Sequence, residues 1–446
     1  MKLFDDHIWL NEALGFVANK RITSSRRIPE WEVLRTKASN IKAHTITHLD
    51  TYLEIFEKNA LKNGIKVHWA VDAKEHNLIV EKILHKHRAK KIVKSKSMLT
   101  EECGLNASLE SKGYEVIDTD LGERIVQLAK QRPSHIVLPA IHLKKEQVAT
   151  IFQQTNSDPE YLTQYARESL RKEFESADAA ITGVNFAIAN EGAFVVCTNE
   201  GNADLGTSLA KVHIAVMGIE KIIPSLEDLG VFLRLLARSA TGQDITTYSS
   251  IFKKPQKGKE IHLVIVDNGR SNLLGKESFE NALKCIRCGA CMNICPVFRR
   301  TGGHAYSYVI PGPIGINLGA SRDIQTHGKM AFASTLCGAC DNVCPTKINL
   351  HNQILSYRSK YKEVVKEPKD FGYKVAFWIL KRAWAYKIAL KVGRFLPYSL
   401  YKRVWNKKRT MPKLAKKSFR EIMNCSPTQS DDTFSFRSIY NMRKVS

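Results

Sequence analysis

Seven of the ten cysteines in this chain fall between positions 285 and 344. The first run reads Cys285-Ile-Arg-Cys288-Gly-Ala-Cys291-Met-Asn-Ile-Cys295-Pro296, the second Cys337-Gly-Ala-Cys340-Asp-Asn-Val-Cys344-Pro345. Thiolates are soft anionic ligands, and gaps of two, two and three residues closed by Cys-Pro are the spacing of bacterial iron–sulfur proteins. Three thiolates at two-residue gaps can wrap one cluster. The fourth lies too far along for it, and the proline behind turns the chain toward a second cluster. Structural zinc is the competing chemistry, but a zinc ribbon needs two CxxC pairs and would leave ligands over here. Disulfides fit poorly, because the chain opens Met1-Lys-Leu-Phe-Asp-Asp, without a charged-then-apolar export signal.

The interlocking of two such motifs assigns the ligands. The first cluster takes Cys285, Cys288, Cys291 and, from the far motif, Cys344; the second takes Cys295, Cys337 and Cys340. A complete second motif would begin with a cysteine at 334, where this chain has Ser334. The first cluster is expected to be 4Fe-4S. The second is either 3Fe-4S, or 4Fe-4S with serine, water or a partner's group on the last iron. Cys103 and Cys197 read as buried thiols rather than ligands.

These ligands need a scaffold. A chain of 446 residues, 43% hydrophobic and 25% charged, has the material for two or three domains. Residues 1–60 read as a helical lead-in, with Ile41, Ile46, Leu49, Leu53 and Phe56 close to a 3.6-residue period. Over 61–270, short apolar runs at 66–70, 91–94, 114–117, 135–138, 185–188, 194–197, 212–216 and 261–266 look like strands, several separated by helical patterns. That alternation predicts an α/β domain with a largely parallel sheet. Strand patterns then stop. A short helix over 272–283, a Gly/Pro-rich loop over 302–313 and a helix from Ile348 to about Val365 predict an all-helical two-cluster ferredoxin domain at 271–365.

The remainder, 366–446, is a basic helical tail in which Phe377, Trp378, Trp384, Tyr398, Tyr401 and Trp405 are threaded through Lys and Arg, with a disordered end beyond about 424. Such a tail suits peripheral contact with an anionic membrane, an acidic partner, or a cap on the protein's own core. No run of about twenty apolar residues occurs, so no membrane span is expected. A cytoplasmic location is expected, peripheral at the inner face of the membrane if the tail meets lipid. The net charge of +24 fits an acidic partner or surface, and nucleic acid is not the expected one because the cluster motifs account for the chain better.

Three loops behind strands carry further chemistry: Lys94-Ser-Lys96-Ser97, Thr198-Asn-Glu200-Gly-Asn202 and Asp267-Asn-Gly-Arg270. Ligands in parallel sheets bind beyond the carboxyl ends of strands, which makes Lys94, Lys96, Glu200, Asn202 and Arg270 a candidate anion site. The competing reading is solvated turns with capping residues. Neither GxGxxG nor a P-loop occurs at these turns, so no dinucleotide fold is predicted.

The blocks Val93-Lys-Ser-Lys-Ser-Met98, Asp118-Thr-Asp-Leu-Gly-Glu123, Pro133-Ser-His-Ile-Val-Leu-Pro-Ala-Ile-His142, Ile181-Thr-Gly-Val-Asn-Phe186, Thr198-Asn-Glu-Gly-Asn202, His213-Ile-Ala-Val-Met-Gly218, Val264-Ile-Val-Asp-Asn-Gly-Arg270 and the first cysteine run resemble the lactate utilization protein B family. The resemblance spans about 40–365 and is weaker in the tail. It implies a lactate-utilization α/β domain with a sheet like that of CoA-transferases and ribose-phosphate isomerases, followed by the ferredoxin domain. It also implies an iron–sulfur electron-transfer subunit of a multi-component, NAD-independent system that oxidises L-lactate to pyruvate and enables growth on lactate. The partners implied are a cysteine-rich subunit and a second, smaller lactate-utilization-domain protein. Two other functions stand beside this one. One is a metabolite-binding, redox-sensing regulator. The other is a stand-alone CoA-transferase-like enzyme with Glu200 as nucleophile. Two centres in series favour electron transfer over both.

Overall fold

The computed structural model describes residues 7–276, 278–365 and 370–395. The described residues up to 365 form one compact unit, and 370–395 belong to another. The chain begins with helices α1 (His7–Arg26), α2 (Trp31–Thr47) and α3 (Leu49–Lys62). In α3 the buried residues are Leu49, Leu53, Phe56 and Ala60, one stripe at helical spacing that lies on the sheet core.

The strands are β1 (Lys66–Ala70), β2 (Lys91–Lys94), β3 (Glu115–Asp118), β4 (Ala179–Gly183), β5 (Phe186–Ile188), β6 (Ala193–Thr198), β7 (Val212–Gly218), β8 (Ile222–Ile223), β9 (Tyr248–Phe252) and β10 (Glu260–Val266). Six form one sheet in the order β1-β10-β7-β4-β2-β3, all pairs parallel. Every residue of β7 is buried, because α3 covers one face of the sheet and the helix Ala73–Lys86 the other. A second, mixed sheet in the order β8-β5-β6-β9 was not foreseen as separate.

The fold departs from the sequence reading at three places, a strand left out, a strand misplaced and a helix misassigned. β4 lies in the middle of the parallel sheet, yet Ala-Ala-Ile-Thr-Gly has few strand-forming residues; its strand character comes from burial between β2 and β7. The run 135–138 is no strand. The His135 ring nitrogen Nδ1 accepts from the amides of Val137 (3.0 Å) and Leu138 (3.1 Å), which ties the segment into a turn. The short helix expected at 272–283 is two 3-10 turns, Ser271–Leu273 and Glu280–Lys284, and the helix after the second motif runs Leu350–Val364.

The lead-in closes on the cysteine segment. Arg21 Nη2 donates to the Val343 carbonyl (2.8 Å), and Arg35 donates to the Cys344 carbonyl through Nε (3.0 Å) and Nη2 (2.8 Å). Leu10 and Leu14 of α1 share a core with Met292 and Phe298. Within the second unit, helices Asp370–Lys381 and Ala383–Phe395 are described, with the Trp378 and Trp384 rings edge-on at 5.7 Å and Arg382 over Trp378 at 4.5 Å. Tyr398, Tyr401, Trp405 and the end beyond 424 lie outside the described residues. No helix among the described residues is long and apolar enough to cross a membrane.

Candidate functional site

The two cysteine runs fold alike. Arg287 (φ 61°) and Leu336 (φ 54°) both take left-handed backbone, and so do Gly289 (φ 77°) and Gly338 (φ 73°), which open the short helices Ala290–Ile294 and Ala339–Val343. Cys295 and Cys344 close those helices with matching angles, φ −69° and ψ 119° against φ −66° and ψ 119°. Amides aim at sulfur in both halves: Arg287 N at Cys285 Sγ (3.4 Å), Phe298 N at Cys295 Sγ (3.5 Å) and Ile348 N at Cys344 Sγ (3.4 Å). Amide donors stabilise a thiolate and tune any cluster it holds.

Cys285, Cys288, Cys291 and Cys344 line a single small cavity whose other walls are apolar, among them Ile136, Ile286, Ile314, Ile348 and Leu350. Burial pushes the Cys288 thiol up to about 12, with Cys344 and Cys285 adding to it, and raises Cys291 well above the thiol range. Four thiols crowded in an apolar cavity cannot all ionise unless a multiply charged cation lies among them. The donor set therefore fits an iron–sulfur cluster.

Cys295, Cys337 and Cys340 are electrostatic neighbours in the same way, with Cys337 exposed. Beside them Cys340 Sγ donates to Asp341 Oδ1 (3.4 Å), and Asp341 Oδ2 pairs with His351 Nδ1 (2.5 Å). Cys291 and Cys340 lie within electrostatic reach, so the two groups of thiols adjoin. Ser334 stands half-buried where the second run lacks its cysteine, and its Oγ accepts from Leu336 N at 3.2 Å.

A crevice of about 310 Å³ opens at the carboxyl ends of β2, β4, β7 and β6, and its walls include Lys96, Glu200, Asn202, Lys221, Arg270, Arg287 and Cys288. It brings four of the five expected anion-site residues together. Lys94 is not among them: its ammonium is fully buried against Asp118 Oδ1 (2.7 Å), Glu101 Oε1 (3.1 Å) and Glu123 Oε2 (3.8 Å). Burial opposes charge there, but Asp118 and Glu123 outweigh it and hold Lys94 protonated, a structural role.

Arg270 is also engaged. It pairs with Glu102 Oε2 at 3.0 Å and, through Nε, with Glu220 Oε2 at 2.6 Å, and Arg287 of the first cysteine loop reaches Glu220 Oε1 at 3.4 Å. Burial would raise Glu220, but Arg270 and Arg287 prevail and hold it at about 2. A side chain at Gly218 would collide with the Glu220 carboxylate and the Arg270 guanidinium, so the end of β7 must be bare for this network to form. Lys96 Nζ is held by Asp120 Oδ2 (2.8 Å) and the Val137 carbonyl (2.9 Å). Asn202 Nδ2 donates to Thr119 Oγ1 at 3.3 Å.

Two groups of the crevice hold chemical interest. Glu200 Oε2 accepts from Leu121 N (3.0 Å), and burial with the nearby Asp120 raises its carboxyl to about 7, within reach of proton exchange at neutral pH. Lys221 makes no hydrogen bond or ion pair among the described residues, and burial lowers its ammonium from the usual lysine range. Sequence reasoning missed Lys221 and Arg287. The first directly follows the buried Glu220; the second fills a spacer position inside a cysteine motif, where no pattern singles it out.

The LUD domain family model matches residues 53–272, and the 4Fe-4S dicluster domain model matches residues 281–348. A lactate utilization protein B of Shouchella clausii is 42% identical over 430 residues, covering 90% of this chain and 89% of its own. One from Macrococcus caseolyticus is 46% identical over 362 residues, covering 78% and 76%. Among solved structures, a DUF162 family protein of Deinococcus radiodurans aligns over 49% of this chain and 98% of its own, at 14% identity and a TM-score of 0.29, too slight a likeness to define the fold.

Proposed function

Since the chain belongs to the lactate utilization protein B family, we propose that it is the iron–sulfur electron-transfer subunit of a multi-component assembly oxidising L-lactate to pyruvate without nicotinamide. The observation that carries this reading is a shared wall. Cys288 and Ile136 line both the four-thiol cavity and the crevice at the sheet's carboxyl ends. A molecule in the crevice would lie against the first centre, with no intervening domain to cross.

Iron–sulfur clusters, when bound, accept and release single electrons. The rest of the task falls to the chain's own side chains. Oxidising a 2-hydroxy acid removes two electrons and two protons. Lys221 supplies a cation for the carboxylate, and Glu200, with its carboxyl near 7, suits one proton. Arg270, Lys94 and Lys96 are committed to carboxylates of the protein and leave the anion to Lys221. The exposure of Cys337 supports approach of a partner at the second centre, and we assign that face to the cysteine-rich subunit, with the second lactate-utilization-domain protein completing the assembly.

The test is anaerobic absorbance of the purified chain with and without the two partners. Lactate should bleach the iron–sulfur band only when the partners are present. Lys221→Met should cut the bleaching rate at least tenfold while leaving the dithionite-reduced spectrum unchanged. Bleaching by lactate with the chain alone would make it the dehydrogenase itself and end the subunit reading.

A further inference from the structure

We propose that Ser334 is the fourth protein ligand of the second centre, its Oγ holding the iron that Cys295, Cys337 and Cys340 leave uncovered. The inference rests on the two-centre reading above and deepens it.

The argument is the backbone repeat. In the first half, Cys285 follows a 3-10 turn, and its Sγ receives the amide two residues on, which a left-handed Arg287 turns inward. In the second half, Ser334 follows the 3-10 turn Gly328–Ala333, and its Oγ receives the amide of the left-handed Leu336. Beyond each lies a Cys-Gly-Ala-Cys turn with a left-handed glycine. By this correspondence Ser334 Oγ occupies the position that Cys285 Sγ occupies in the first half.

The turn is also held in place. Arg358, from the helix Leu350–Val364, donates through Nη2 to the Ser334 carbonyl (2.5 Å) and through Nε to the Ala331 carbonyl (2.9 Å), with its guanidinium 5.5 Å from the Phe332 ring. A solvated spacer would need no such clamp.

The chemistry is that of a hard oxygen donor. On binding, the serine O–H breaks, an Fe–O bond forms and the proton leaves to water, which reaches this side of the centre beside the exposed Cys337. The Leu336 amide favours the anionic oxygen over the hydroxyl. An alkoxide prefers oxidised iron more than a thiolate does, so this ligand lowers the centre's potential relative to a cysteine there.

The experiment uses the full chain purified anaerobically, as wild type, Ser334→Ala and Ser334→Cys. Iron and acid-labile sulfide are measured, and EPR spectra are taken as isolated, after ferricyanide and after dithionite. The expected result is about eight irons per chain for wild type and Ser334→Cys. Ser334→Ala should hold about one iron fewer, with the signal of an oxidised three-iron cluster. Ser334→Cys should show the second centre reduced at a higher potential.

Two results overturn the proposal. A three-iron signal in untreated wild type says that serine does not bind. Equal iron and identical spectra for wild type and Ser334→Ala say that water or another group holds the fourth iron. The reduced signal of the first centre is the internal control. Its absence from all three proteins would remove the two-centre reading itself and the proposal with it, an outcome distinct from a loss confined to the second centre.

Discussion

Around the first centre the protein is dry and basic: Cys288, Cys291 and Cys344 are buried, with Arg21, Lys221 and Arg287 in electrostatic reach of its thiols. Around the second, Cys337 is exposed and a carboxylate, Asp341, lies against Cys340. Two near-copies of one backbone therefore sit in opposite surroundings. Nearby cations favour the more reduced, more negative state of a cluster and nearby anions oppose it, so charge and burial can set the potentials apart although the ligand loops match. The first centre is also where helices, sheet and cysteine loop converge, whereas the second is peripheral.

The largest expected contrast comes from removing one thiol on each side. Cys288→Ala should lose the first centre, about four irons, and lower the melting temperature, because that thiol is part of the core joining the second sheet to the cysteine segment. Cys337→Ala should lose iron only at the second centre and melt close to wild type. Equal melting losses would break the comparison.

Next in size is Arg287→Gln. It leaves Glu102 and Glu220 buried with Arg270 alone, at a cost of about 3 kcal/mol, the low end for breaking a buried pair because one arginine still covers both carboxylates. Denaturant titration measures that loss. A redox titration should show the first centre's potential falling and the second's unmoved.

Acid should act through the same network. Glu220 titrates at about 2 in the fold against an ordinary 4.5, so its ionised form stabilises the protein above about pH 4.5, and that contribution is lost as pH falls from there toward 2. The contribution is on the order of 3 kcal/mol at most. Glu220→Gln should flatten the stability–pH curve over that window. Glu200 has the opposite sign: its raised carboxyl makes ionisation costly between about 4.5 and 7, although it stands at the exposed mouth of the crevice and solvent screens part of the effect. Glu200→Gln should therefore give a slightly higher melting temperature at pH 8 and none at pH 4.

The smallest effect belongs to the outer centre. Asp341→Asn removes a charge beside Cys340 and should raise the second centre's potential by tens of millivolts without touching the first. A shift of both would mean that the two titrate as one.

What the sequence reveals follows from how local each signal is. Cysteine spacing is a local signal with a direct chemical meaning, so the two cluster motifs and the Ser334 gap are legible without a fold. Strands with alternating or continuous β-branched residues, such as β7 and β10, are legible for the same reason. β4 is not, because Ala179 and Ala180 become strand residues only by fitting between β2 and β7. Charged loops are legible as charge but not as role. Lys94 and Arg270 were expected to face an anion, and carboxylates from other elements claim them: Glu101, Asp118 and Glu123 hold Lys94, and Glu102 and Glu220 hold Arg270.

The contact between Arg35 and the Cys344 carbonyl joins positions 309 apart in the chain. At about 5–20 residues per second, the ribosome makes the second of these on the order of 15–60 s after the first. Through that interval Arg21 and Arg35 lack their carbonyl partners, and the three early thiols of the first centre wait for the fourth. Completion of the first centre therefore waits until synthesis has passed Cys344. A truncated translation product ending before Val343 should leave the ribosome without its first cluster and with Arg21 and Arg35 lacking their carbonyl partners, a form open to proteolytic clearance.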